Sequence, residues 1–325
     1  MTFKKLAVAV GISVAFGLGA AGNARADAMA NALIDISHFI LTGPAGVPLN
    51  ITDFSQISFQ DTLVNNALLN PGGFDAQFAA TNTFSAATDA PMACVGAPCA
   101  GIPQNLFVPA TVPPTSTYAR SDSLLTGVPI TGVPFALGVR AGTIAETSIN
   151  TNASGGSSSD ILLTSSFQFV LAHDVAEADI HFDATTFLRA WTAALSLPGT
   201  TAGAGFKWEL TLVDGIGGAT LIDWIPNGNI ATGTQSGLTV TSEGCNLVAN
   251  ASATFNQPSA PTENCTGSFA AVTNFVLLAN HPYSFTIHHN VSTQATEVIA
   301  AAEPGALALL GIGLAGLGFV RRRWS

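Results

Sequence analysis

From Ala204 to Pro226 the chain reads AGFKWELTLVDGIGGATLIDWIP, and its apolar side chains return every second residue. Phe206, Trp208, Leu210 and Leu212 share one parity, while Lys207, Glu209 and Thr211 hold the other. Strand side chains alternate between two faces, whereas helical ones recur about every 3.6 residues, so this run is a half-buried strand. Asp214-Gly215 and Gly217-Gly218 carry turn chemistry, and ATLIDWI returns as the second strand of a hairpin.

The same period recurs elsewhere. In ADIHFDATTF it turns Ala178, Ile180 and Phe182 inward and Asp179, His181 and Asp183 outward; SSFQFVLAHD and PYSFTIHHNVS repeat it. ALIDISHFILTG and ITDFSQISFQDTLV read as strands less cleanly, with a short helix expected over residues 27–31. Residues 91–134 hold eight of the 17 prolines. Proline cannot donate to a sheet ladder, so loops and edge segments are expected there. TNASGGSSSD, residues 151–160, reads as a surface loop. No long stretch of the body keeps a helical period. The expected fold is all-β, an antiparallel β-sandwich of jelly-roll type over residues 27–301, flanked by an N-terminal signal peptide and a C-terminal transmembrane helix.

Both flanks follow from local chemistry. Lys4 and Lys5 precede an apolar run from Leu6 to Gly22, and Ala24-Arg25-Ala26 supplies a small-x-small cleavage site. This is the pattern of a secretory signal peptide over residues 1–26, cut after Ala26. At the other end Gly305–Val320 is an uncharged run of 16 residues followed by Arg321, Arg322 and Arg323. As a helix it would reach about 24 Å, short of a hydrocarbon core about 30 Å thick. Snorkelling arginines and local thinning close that gap. The basic cluster keeps its side of the membrane cytoplasmic, which leaves the body outside the inner membrane.

The order Glu303-Pro304, apolar span, arginine cluster at the extreme C-terminus resembles the PEP-CTERM sorting signal, with Ala302 standing where that motif has its first proline. The resemblance covers residues 302–325. It implies a partner, an exosortase-type membrane enzyme that processes the tail, and a bacterium with an outer membrane. It also implies export linked to exopolysaccharide, as in a biofilm. It implies nothing about the fold of the body, because such tails are carried by unrelated proteins.

Without its two ends the chain is strongly acidic. From Asp27 to Glu303 only Arg120, Arg140, Arg189 and Lys207 remain to set against all 20 Asp and Glu, a net charge of −16. That field repels nucleic acid and anionic surfaces, and excludes both as partners. Cys94, Cys99, Cys245 and Cys265 form an even set in an oxidising setting, which reads as two disulfides paired by neighbourhood, Cys94–Cys99 and Cys245–Cys265. Neither spacing has the tight form of a Cys₄ zinc site.

No sequence pattern of a hydrolase nucleophile, zinc protease, phosphate loop or EF-hand occurs. Candidate chemistry is confined to His173-Asp174 followed by Asp179, His181 and Asp183, which the alternation makes the wet face of a sheet. His288 and His289 must point to opposite faces. Trp191, Trp208, Trp224 and Tyr283 are candidates for a sugar-stacking platform, although parity puts Trp208 in the core. Sequons at Asn50, Asn152, Asn250, Asn264 and Asn290 carry little weight in so Asn- and Thr-rich a chain. No catalytic residue, metal ligand or cofactor is expected; calcium on loop carboxylates is the one alternative kept open.

The expectation is therefore a non-enzymatic exported protein of the cell surface or extracellular matrix. Its precursor would be anchored in the inner membrane with a periplasmic body, then released to the cell surface or beyond. The role would be structural or adhesive, with extracellular polysaccharide as a partner. A lectin-like carbohydrate-binding module is the first alternative, and a secreted hydrolase the second.

Overall fold

The computed structural model describes residues 27–82, 87–110, 116–133, 138–161, 166–194, 196–255 and 263–298. The signal peptide with Ala24 and Ala26, the span over residues 305–320, and Glu303, Pro304, Arg321, Arg322 and Arg323 lie outside them. Among the described residues no helix is long and apolar enough to cross a membrane.

The described chain is all-β. In order, the strands are β1 (Ala28–Thr42), β2 (Phe54–Asn70), β3 (Gly73–Thr81), β4 (Ala87–Gly96), β5 (Tyr118–Thr126), β6 (Val139–Ile149), β7 (Ser154–Ile161) and β8 (Ser166–Leu171). They continue as β9 (Asp179–Thr192), β10 (Thr201–Asp214), β11 (Thr220–Ile225), β12 (Thr234–Ser236), β13 (Leu238–Glu243), β14 (Val248–Thr254), β15 (Glu263–Thr273) and β16 (Pro282–Thr296). One sheet runs β13-β15-β9-β1-β6-β5-β4 and the other β12-β11-β10-β16-β7-β2-β3; β14 pairs with β10, and β8 with β16 and β2. The two sheets pack face to face as a sandwich of antiparallel strands, and one core cluster runs from Ala28 to Ala295.

The hairpin read from residues 204–226 is present as β10–β11, with Leu210 opposite Trp224 and Leu212 opposite Ile222. Its inward parity builds one end of the core. Trp208 lies 4.7 Å from Phe182 and 5.9 Å from Trp224, and Phe182 stacks on Phe269 at 4.6 Å. Aromatic pairs at such spacings add stabilisation beyond the area they bury.

Two expectations are corrected. Residues 27–31 begin a strand rather than a helix: β1 lies between β6 and β9, and Ala28–Ile34 is buried on both faces. A strand covered twice loses the alternation that would announce it. The Ser/Gly run at 151–160 is also no surface loop. It enters the second sheet as β7, between β16 and β2.

Small residues are needed at β7, where a side chain would run into the neighbouring β2 strand and meet Thr147 of the opposite sheet at 3.3 Å. A Cβ on Gly155 would fall 2.7 Å from the Leu69 side chain and 2.8 Å from the Leu68 carbonyl. The hydroxyls then bond across the gap. Ser157 Oγ lies 2.8 Å from Thr293 Oγ1 and donates to the Glu146 carbonyl at 3.0 Å. Ser159 Oγ donates to the Asp122 carbonyl at 2.9 Å, and Ser121 Oγ to that of Asn66 at 2.9 Å. This half of the core is a hydroxyl zipper, in which Ser121, Ser157 and Ser159 each bond the backbone of the opposite sheet.

The proline-rich segment divides. β4 is an edge strand whose register shifts between Ala90 and Ala93, around Pro91, as a donor-poor residue requires. β5, by contrast, is an interior strand of the first sheet. Between them, residues 102–110 cross the outer face of that sheet as a strap.

Candidate functional site

The residues singled out from sequence do not converge on a reaction centre. Asp179, His181 and Asp183 do share the outer face of β9, with Ile180 and Phe182 buried between them. Asp183 is committed to structure: Ser268 Oγ donates to it at 2.6 Å and His38 Nδ1 lies at 3.1 Å. Those contacts, Ser268 foremost, hold its carboxyl below the usual carboxylate range. His173 stands 3.7 Å from Asp53, and Asp174 accepts the Ala279 amide at 2.7 Å. Among the described residues no group of three or more His, Cys, Asp or Glu is placed to hold a metal ion.

His288 and His289 face opposite ways. His288 lies 3.2 Å from Asp160 on the outer face of the second sheet, close enough for an ion pair though not aligned as a hydrogen bond. His289 is fully buried beside Thr143, at 3.0 Å. Burial first, and the neighbouring His288 second, drive its pKa down to about 3, so it is a neutral core imidazole. Trp191, Trp208, Trp224 and Tyr283 are all buried, Trp191 being the most exposed at 8%. None can stack on a sugar. Both disulfides are formed in the expected pairing, Cys94–Cys99 at 2.07 Å and Cys245–Cys265 at 1.98 Å.

The most elaborate polar constellation is one the sequence reading missed. Tyr118, Arg120 and Asp122 share the outward parity of β5 and meet Glu146 of β6, Asn31 of β1 and the strap. Arg120 and Glu146 form an ion pair with both side chains only 2% exposed. Glu146 Oε1 accepts from the Ala110 amide at 2.6 Å and from Asn31 Nδ2 at 3.0 Å. Arg120 Nη2 donates to the Val108 carbonyl at 3.0 Å, and Asn31 Nδ2 to that of Ala110 at 2.8 Å. Beside this clamp Phe107 packs on Leu33, Ile144 and Phe187, and Gly142 leaves room for its ring.

Electrostatics follow from the burial. The Tyr118 hydroxyl is pushed well above its ordinary range by burial and then by the Glu146 charge. Asp122, which accepts the Asn105 amide at 2.5 Å, is raised to about 6 by burial, with the Asp89 charge adding to it. The arrangement can fasten the strap.

A second perturbed carboxyl, Asp61, lies at an apolar cleft lined by Phe39, Phe59, Phe167 and Phe285. Burial raises it to about 6 against the opposing hydrogen bond from Thr88 Oγ1 at 3.1 Å. The cleft encloses about 50 Å³. Small-molecule pockets hold roughly 300–1,000 Å³, so this one is too small for a substrate.

No protein-family model matches the sequence, and no curated protein matches it. Among solved structures, one titled "Structure of infectious bursal disease virus Gt strain" aligns over 89% of this chain and 88% of that one, at 9% identity and a TM-score of 0.09. A score that low carries no argument about fold or function.

Proposed function

We propose that the chain is an exported, non-enzymatic structural protein of the cell surface or extracellular matrix. In this reading residues 1–26 direct export and are removed. The span over residues 305–320 holds a precursor in the inner membrane, and an exosortase-type enzyme processes the tail near Glu303-Pro304. The observation that carries the reading is the Glu303-Pro304, apolar-span, triple-arginine ending of the sequence.

The body fits that role. Two disulfides join cysteines close in sequence, as suits a chain that folds in an oxidising compartment. Buried polar groups are spent on the zipper and the strap, which make a rigid body rather than a reaction centre.

The test is made on protein recovered from the exporting cell. Mass spectrometry after alkylation should find an N-terminus at Asp27 and all four cysteines protected. Free, alkylated cysteines on a chain still starting at Met1 would overturn export.

A further inference from the structure

The outer face of the second sheet has an unusual make-up. Its rows follow from register: Phe74-Leu68-Gly156-Gln294-Gly203, then Ala76-Asn66-Ser158-Ser292-Gly205, then Phe78-Val64-Asp160-Asn290-Lys207, running from β3 through β2, β7 and β16 to β10. β14 adds Asn250 opposite Gly205. Two things stand out along these rows.

One is an aromatic rail. Phe74 and Phe78 are 65% and 62% exposed, with Leu68 beside them at 49%. Four residues apart on one strand, the two rings sit about 13 Å apart along it. Exposed apolar groups gathered in this way mark an interaction surface.

The other is a level amide floor. A Cβ on Gly205 would fall 2.3 Å from Asn250 Oδ1, and one on Gly203 would meet the Gln294 side chain at 3.2 Å. The two amides therefore lie across the glycines, while Asn66, Asn290, Ser158 and Ser292 add further donors and acceptors. The only charged side chains of these rows are Lys207 and Asp160, one of each sign; Lys207 pairs with Glu209 of the next row, and His288 lies 3.2 Å from Asp160. Charge is thus sparse and balanced here, although the segment from Asp27 to Glu303 carries −16.

We propose that this face binds an uncharged polysaccharide chain, its sugar rings stacked on Phe74 and Phe78 and its hydroxyls bonded to Asn66, Asn250, Asn290 and Gln294. The charge pattern selects the class. Paired charges attract neither a basic nor an acidic partner, whereas a neutral hydroxyl-rich chain needs amides and stacking rings. A protein partner fits less well, because stable protein interfaces put apolar residues at the centre and polar ones at the rim. Here the apolar rail lies at the sheet edge and the amides at the centre. The proposal rests on the extracellular reading only for where the glycan is met.

The full exported chain would be applied to an array of cellulose, xylan, mannan, galactan and dextran, with alginate as the anionic control. Wild type should bind at least one neutral polysaccharide and ignore alginate. The Phe74→Ala/Phe78→Ala double variant, changed only at exposed positions, should weaken binding by about tenfold at an unchanged melting temperature. Gln294→Ala should weaken it separately. Failure to bind any neutral polysaccharide overturns the proposal, as does binding that both variants leave intact. A dimer in sedimentation that the double variant dissolves would instead make the face an interface between copies, and overturn it too. The C-terminal mass of the same preparation reports sorting independently, so the two readings fail separately.

Discussion

Arg120 and Glu146 pair beneath the strap with both side chains cut off from solvent, and each also bonds the strap backbone. A buried pair of this kind is not a large net stabiliser by itself. Removing one partner strands the other charge, and that costs about 3–5 kcal/mol.

Arg120→Met should therefore lower stability by about that amount and raise amide exchange across residues 102–110 ahead of the rest of the chain. Arg120→Met with Glu146→Leu should recover much of the stability while leaving the strap loose. Hydrogen exchange with mass detection, alongside urea unfolding, reads both. Equal exchange in the strap and in β9 would show that the clamp does not fasten it.

Asp122 sets a pH dependence whose sign is fixed by its burial. Its pKa is raised from 3.8 to about 6 on folding. The native state thus favours the protonated carboxyl: that contribution is complete below about pH 3.8 and is lost as pH rises through about 6. Asp61 acts in the same direction. His289 opposes them, since its folded pKa of about 3 costs stability as pH falls below its ordinary 6.5. Asp122→Asn isolates the one group. It should stabilise the protein at pH 7.5 relative to pH 4, the gap from wild type widening by about 1–3 kcal/mol in urea unfolding. A gap that does not change with pH would refute the assignment.

Gly155 measures how closely β7 lies against β2. Gly155→Val would drive a side chain into Leu69 and the Leu68 carbonyl, and should cost about 1–3 kcal/mol. Gly101→Ala, with open space at its Cβ, should be neutral. Thermal melts of the two variants decide the matter.

What could be read from sequence was whatever kept one wet and one dry face. Phe206, Trp208, Leu210 and Leu212 alternate with polar residues and lie in the core; Asp179 and Asp183 alternate with buried Ile180 and Phe182 and lie outside it. The cysteine pairing was legible because both partners are close in the chain. Ala28–Ile34 and Ser154–Ile161 were hidden for opposite reasons: one is apolar on both faces, the other small and polar on both. The clamp was hidden because its members, Asn31, Arg120 and Glu146, come from three strands that only the topology brings together. Its one local sign was the shared parity of Tyr118, Arg120 and Asp122. Phe74 and Phe78 share a parity too, but which face of the sheet that parity meets is set by the topology.

The route the chain takes is written at the C-terminus of the mature protein. The full chain would be expressed in matched hosts with and without an exosortase, and its intact mass measured. Everything beyond the Glu303-Pro304 region should be lost only where the enzyme is present. A chain ending at Ser325 in both hosts would contradict it.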